Sequence, residues 1–290
     1  MLLVNALVQG VLLGGLFTMA AVGLSIAFGV LRIVNLAHGE VMTVGAYVSV
    51  MVLAITGMNV WVSMLIVVPL LAAVGYVVQR YVLQRAVGIS ELAPLLVTFG
   101  ISIMVPNALI ELFTNDKRPI STGGLAVQSM TLVDGVTVGV LPLITAVLAV
   151  ALIVCVQLFL SQTQIGRYMR AAADDAPTLQ LMGVDSRQIY GVAMALAFGI
   201  AALAGVFYGM RQGGVTPFDG QLSLLFAFEA VIIGGLGSLW GTLAGGTVLG
   251  ISHTIAGLFG PEMPLLVGNL VFLMILVLRP RGIVRSRREG

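Results

Sequence analysis

About nine stretches of mainly apolar residues run almost end to end along this chain, near 6–30, 38–56, 60–82, 93–113, 140–160, 188–210, 222–236, 239–258 and 264–279. A helix that crosses the hydrocarbon core of a bilayer needs about 20 such residues, because each residue advances it by only about 1.5 Å. Backbone N–H and C=O groups find no water in hydrocarbon, so apolar runs of this length form helices that satisfy those groups internally. Only 9% of residues are charged against 59% hydrophobic, whereas a soluble domain carries roughly a quarter charged residues. The pattern predicts an all-α integral membrane protein, a polytopic bundle of about nine transmembrane helices, some of them broken, spanning 1–290 as a single domain. The first run has no basic segment ahead of it and is too long for a cleaved leader, so it is expected to remain as the first span.

Basic residues give such a bundle a direction, since loops rich in Lys and Arg stay on the cytoplasmic side. Arg80 and Arg85 follow the third run, Arg167, Arg170 and Arg187 lie between the fifth and sixth, and Arg279, Arg281, Arg285, Arg287 and Arg288 follow the last. With an odd number of spans all of these fall on one side together with Arg32, and Lys117, Arg118 and Arg211 fall on the other. That bias places the C-terminus in the cytoplasm and the N-terminus outside. In the outer loop 114–139, residues alternate around Asp134-Gly135. An Asp-Gly pair suits a two-residue turn with positive φ at both positions, so a small extracytoplasmic β-hairpin is expected there.

Asn35-Leu36-Ala37-His38-Gly39-Glu40 stands between the first two runs. A charged group in hydrocarbon costs about 3 kcal/mol or more, so the cluster sits at an interface or lines a protein-enclosed cavity. Asn35 is a good N-cap for a helix starting at Leu36, and a broken helix aims its positive end into the protein. A short cytoplasmic turn is the other reading, which the neighbouring Arg32 favours. Segment 161–187 is the long polar stretch expected on the inner side. Asp174 or Asp175 suits the cap of a short helix, Pro177 its first turn, and Gly183 the left-handed position that ends it. Asp185 with Gln188 then resembles a capping box for the next span. The result is a sharply bounded helix across the cytoplasmic face, with a solvated loop as the alternative.

Gly237, Gly241 and Gly245 recur every four residues, the spacing of helix faces that pack closely; a re-entrant turn is the second reading. This stretch loosely echoes the one from Gly39 to Gly45. It is no phosphate loop, because it lacks Gly-Lys-Ser/Thr and no strand precedes it. Glu229 lies within an apolar run, where an acid is by default functional; it faces a path, bonds to a neighbouring helix or sits near the outer interface. No Ser-His-Asp set, paired carboxylate site or cofactor fingerprint supports an enzyme. Two His residues are too few for an all-protein zinc site, so no metal ligands are assigned. The single Cys155 makes no internal disulfide. No ATP-binding signature is present, so any ATP must be used by another chain.

Taken in order, these motifs resemble those of LivH-type permeases of branched-chain amino acid ABC importers, over nearly the whole chain. The run Asn35 to Glu40 followed by Val44-Gly45-Ala46-Tyr47 is similar to the family's Asn-Phe/Leu-Ala-His-Gly-Glu stretch. Gly166-Arg167, then Arg170-Ala171-x-Ala173-x-Asp175, then Leu181-x-Gly183-Val184 resembles its cytoplasmic coupling loop. Ala227-Phe228 with Gly234 to Ser238 resembles its late glycine-rich stretch, and Pro280-Arg281-Gly282 its ending. Leu179 stands where Ala is frequent, Phe226 where Lys is frequent, and the Glu-Ala-Ala pattern of other ABC permeases is not matched.

The resemblance implies a permease subunit of an importer for branched-chain or other small amino acids in the bacterial inner membrane. It implies a LivM-like second permease, two ATPase subunits that hold ATP and Mg, and a periplasmic binding protein docking on 114–139 and 211–221. No cofactor is expected on this chain, and no nucleic acid partner. Arg167, Arg170, Ala171, Ala173, Asp175, Leu181 and Gly183 would form the coupling loop. Asn35, His38, Gly39, Glu40 and Glu229 would belong to the path or its broken helix, and Gly237, Gly241 and Gly245 to helix packing. The rival expectations are an ion-coupled secondary transporter relying on Glu40 and Glu229, and a passive channel for a small solute such as urea or an amide.

Overall fold

The computed structural model describes residues 2–57, 59–90, 92–133 and 136–284. Every apolar run is helical. The helices are α1 (Leu2–Leu31), α2 (His38–Thr56), α3 (Val60–Val78), which continues through a π-helical turn (Gln79–Leu83) into α4 (Gln84–Ala86), and α5 (Ala93–Phe113). After the strands β1 (Ser129–Val133) and β2 (Val136–Gly139) come α6 (Val140–Gln162), α7 (Gln164–Leu181), α8 (Ser186–Gln212), α9 (Asp219–Gly234), α10 (Leu239–Ala256) and α11 (Met263–Leu278).

Among the described residues, six units are long and apolar enough to cross a membrane: α1, α2, α3 with α4, α5, α6 and α8. Helices α9 and α10 pass only as a pair, bent by 117°, and α11 is a shorter apolar helix of 16 residues. Where about nine spans are expected, the described residues hold six such units, one short apolar helix and one bent pair that makes a seventh if taken as a single span. The cause is local. Gly235 and Gly237 adopt φ of 105° and 78°, a region that favours glycine. The Ser238 hydroxyl then accepts the Gly241 N–H at 3.1 Å and starts α10 afresh.

At the centre of the bundle lie α1 and α8. Lipid tails are as apolar as Leu, so helices in a bilayer associate through close backbone approach rather than hydrophobic burial. A Cβ on Gly10 would lie 2.6 Å from Ile251 Cα, one on Gly14 2.6 Å from Thr247 Cα, and one on Gly29 3.3 Å from Gly237 Cα. Rising numbers on α1 meet falling numbers on α10, so the two helices are antiparallel along most of their length.

Helix α8, about 40 Å long for its 27 residues, separates two ends of the molecule. Beside its start Arg80 pairs with Asp185 at 3.2 Å, and the Tyr190 hydroxyl donates to Ala172 O of α7. Beside its end Lys117 Nζ donates to Gln212 O at 2.6 Å, and Arg118 and Val215 pair through their backbones. Arg80, Arg187 and the arginines of α7 thus share one end, and Lys117, Arg118 and Arg211 the other, as the charge pattern grouped them. The expected hairpin is present, pairing Ser129 with Gly139, Met130 with Val138 and Thr131 with Thr137. Gln9 on α1 ties to it through Thr137 O at 2.6 Å. Its Asp134-Gly135 turn lies outside the described residues, as do Arg285, Arg287 and Arg288.

Candidate functional site

The chain leaves α1 at Arg32, a non-glycine residue with φ 55°, and residues 33–37 form no regular helix. Thr98 on α5 holds this segment by accepting the Leu36 N–H at 3.2 Å. Asn35 is buried, and its Oδ1 accepts the Ala37 N–H at 3.0 Å. The helix expected from Leu36 instead starts at His38, with no side-chain cap at Ala37. Asn35 shapes the turn before the helix because its side chain is spent two residues on, one turn too early to reach the helix's own free N–H groups. His38 is fully buried and donates Nε2–H to Ala20 O at 2.9 Å. Ala20 lies about three turns before the end of α1, so α2 begins roughly 16 Å inside that end. Asn35 and His38 are thus both enclosed by the bundle, while α1 and α2 are each long and apolar enough to cross a membrane.

Glu40 sits in the first turn of α2, 3% exposed, with one carboxylate oxygen lacking any hydrogen-bond partner. It borders a cavity of about 370 Å³ among α2, α5 and α9, and one of about 260 Å³ among α2, α3, α5 and α8. Asn35 borders the second cavity. A glycine pair makes the arrangement possible. A Cβ on Gly220 would lie 2.5 Å from Glu40 Oε2, and one on Gly39 would run into the Gly220 carbonyl. Gly220 went unnoticed in the sequence. The available signal was Thr216-Pro217-Phe218-Asp219-Gly220, a helix start in which the Asp219 carboxylate accepts the Thr216 N–H and hydroxyl, each at 2.8 Å. Glu229 is 1% exposed on α9 and borders neither cavity. Protein encloses it, and neither cavity beside Glu40 reaches it.

At the basic end, α7 is two helical limbs. Asp175, at φ −151° and ψ 93°, breaks the helix. Its carboxylate accepts the Thr178 N–H at 3.1 Å and the Thr178 hydroxyl, capping the second limb, with Pro177 in its first turn as expected. The Thr178 hydroxyl and N–H hold the Asp175 carboxyl below the ordinary carboxylate range. Gly183 ends the limb at φ 81°. Burial pushes the Asp185 carboxyl up, but the Arg187 N–H and Arg80 guanidinium outweigh it and lower it overall. Asp185 caps α8 through Arg187 N at 2.9 Å. Beside this cap Gln180 Nε2 donates to Ser186 Oγ at 2.6 Å.

The expected coupling residues divide. Ala171, Asp175, Leu181 and Gly183 are exposed, with Leu181 88% and its neighbour Met182, not singled out before, 74% exposed. Arg167, also exposed, donates to Gln162 O and the half-buried Arg170 to Leu160 O, both at the end of α6, and Ala173 is buried.

Gly241 and Gly245 face α9, against Gly234 and the Ala230 carbonyl. Gly237 is not on that face. It lies in the turn before α10 and approaches Gly29, because its left-handed φ breaks the helix first. Backbone bonds from Ile283 N to Ile233 O (2.9 Å) and Val284 N to Gly234 O (3.1 Å) close the break with the chain's tail.

An apolar helical bundle with cavities around the start of α2 and a capped, bent limb at one end fits the class of polytopic membrane permeases. The chain belongs to the family described as branched-chain amino acid transport system / permease component, whose model matches residues 6–279. It is 29% identical to the high-affinity branched-chain amino acid transport system permease protein BraD of Pseudomonas aeruginosa, over 96% of this chain and 94% of that one. It is 25% identical to the corresponding LivH protein of Escherichia coli, over 95% and 93%. The solved structure of PsaBC from Streptococcus pneumoniae in complex with Fab matches 97% of this chain and 92% of its own with a TM-score of 0.50 and 18% identity, a likeness of fold.

Proposed function

We propose that this chain is one of two membrane-spanning permeases of an ABC importer for branched-chain or other small amino acids. The second permease is LivM-like, two ATPase subunits bind ATP and Mg, and a periplasmic binding protein delivers the cargo. The observation that carries this reading is the second limb of α7, fixed at both ends by Asp175 and Gly183 and displaying Leu181 and Met182 to solvent. A limb with defined ends, joined to α6 and α8, can pass movement of a docked ATPase on to them. Nucleotide shifts the membrane pair between states by binding one of them more tightly than the other.

Clustering of arginines at the α7 end supports a cytoplasmic assignment for that end, with the C-terminus there and the N-terminus and hairpin outside. The antiparallel run of α10 along α1 supports counting α9 and α10 as separate passes, which gives nine. The path runs between the two permeases, beside the broken helix from Asn35 to Glu40. Family membership favours this reading over an ion-coupled transporter or a passive channel.

The test is uptake of labelled L-leucine into proteoliposomes holding the complete complex. Uptake is expected to require ATP and both ATPases; uptake that continues when they are stripped away would overturn the proposal.

A further inference from the structure

We infer that the cavity among α2, α5 and α9 is a resting place for a zwitterionic amino acid, with Glu40 receiving its ammonium group and an apolar wall receiving its side chain. This rests on the import reading and adds to it the chemistry of the cargo's head group. At about 370 Å³ the cavity lies within the roughly 300–1,000 Å³ typical of small-molecule sites. Glu40 is 3% exposed and borders the cavity, and its Oε2 is enclosed beside Gly220 with no hydrogen-bond partner. No Lys, Arg or His lines the space. A buried carboxylate is costly until it is paired and hydrogen-bonded. A primary ammonium brings the positive charge and three N–H donors that are missing.

The remaining wall selects among cations. Leu36, Phe99, Ile103 and Leu224 are apolar, while Ser102, Asn107 and Gln221 form a polar edge. A hard metal ion needs about six oxygen ligands, and this wall does not supply them. Ser102 Oγ and Asn107 Nδ2 each donate to a backbone carbonyl at 2.7 Å, which leaves one Asn107 N–H and the Gln221 amide to meet a cargo carboxylate. Urea, an amide or a sugar would donate hydrogen bonds to Glu40 but leave its charge uncompensated. The placement of the carboxylate depends on an absent side chain at Gly220, 2.5 Å from where its Cβ would stand.

The experiment uses the assembled transporter with the exposed Cys155 replaced (Cys155→Ala) and a reporter thiol installed by Ser102→Cys. N-ethylmaleimide labelling of that thiol is timed with L-leucine or with 4-methylpentanoate, the same skeleton without the ammonium. L-leucine well above its dissociation constant is expected to slow labelling roughly tenfold, since only the unoccupied fraction reacts, and 4-methylpentanoate to leave it unchanged. Adding Glu40→Gln is expected to abolish the protection. Equal protection by both compounds overturns the role of Glu40, and no protection by either overturns the site. Should the Glu40→Gln complex fail to assemble, the two-ligand comparison with Glu40 intact still decides. ATP-driven uptake, measured on the unmodified complex, reports separately: uptake without protection sinks the site alone, and protection without ATP-driven uptake sinks the import reading alone.

Discussion

The two interruptions of this bundle, residues 32–37 before α2 and residues 235–238 before α10, resemble each other in sequence, each leading into glycines on the following helix. Their interiors differ. At the first, the new helix starts deep inside the protein and presents Glu40, unpartnered and 3% exposed, to a cavity on either side. At the second, backbone fills the space. Gly241 meets Gly234, Gly237 meets Gly29, and the tail at Ile283 and Val284 bonds to the last carbonyls of α9. A break whose free groups are taken by other backbone is a joint. A break that leaves a buried carboxylate bordering two cavities is the one at which we propose a ligand.

Five experiments bear on the two breaks and on α7 as the control region outside them, the severest first. Gly241→Leu places a branched side chain where backbone lies; overpacking commonly costs about 1–3 kcal/mol and more against a rigid backbone. Loss of the detergent-stable complex is expected on size exclusion, and a variant with unchanged thermal stability would break the joint half of the comparison. Glu40→Gln is expected to cut L-leucine uptake about tenfold, equivalent to about 1.4 kcal/mol in the barrier, with the unfolding midpoint unchanged or raised. A fall in both would mean that the first break is structural as well.

Gly183→Pro and Asp175→Arg alter neither break, and each is expected to leave insertion intact while ATP hydrolysis proceeds with reduced uptake; normal ATP-driven uptake would remove α7 from the coupling role. Glu229→Gln should leave the uptake rate unchanged, because that carboxylate borders neither cavity beside Glu40. The smallest effect is a pH dependence. The folded pKa of Asp175 lies below its unfolded value, so its cap is fully formed above the ordinary carboxylate value and is lost as pH falls through the lowered one. Hydrogen exchange at the Thr178 amide should accelerate over that acidic window relative to Asp175→Asn, after correction for intrinsic rates; an identical profile in both would remove the cap.

Much of the scaffold was legible because hydrocarbon imposes one rule on every residue it touches. The apolar runs all became helices, the arginines sorted by end, and Asp175, Pro177 and Gly183 took their expected stations. The count of spans was less legible, since Gly235 and Gly237 bend what composition alone reads as two equal crossings. Lipid-facing and buried helices also look alike in sequence. The apolar windows of α1 and α5 are similar, yet 83% of the first and 17% of the second are buried. Sequence also left open that Arg170 turns back to Leu160 O and that Ala173 is buried, because those orientations depend on where α6 ends.

By itself the sequence determined that the chain is an α-helical membrane bundle, which end carries its arginines, and where a capped polar limb interrupts it. These follow from local rules of solvation and capping, which act over a few residues. Only the tertiary structure decided how deep α2 begins, that Gly220 admits the Glu40 carboxylate, and that Glu229 lies apart. Those outcomes depend on backbones distant in the chain approaching each other, and a glycine declares its partner only when the partner arrives.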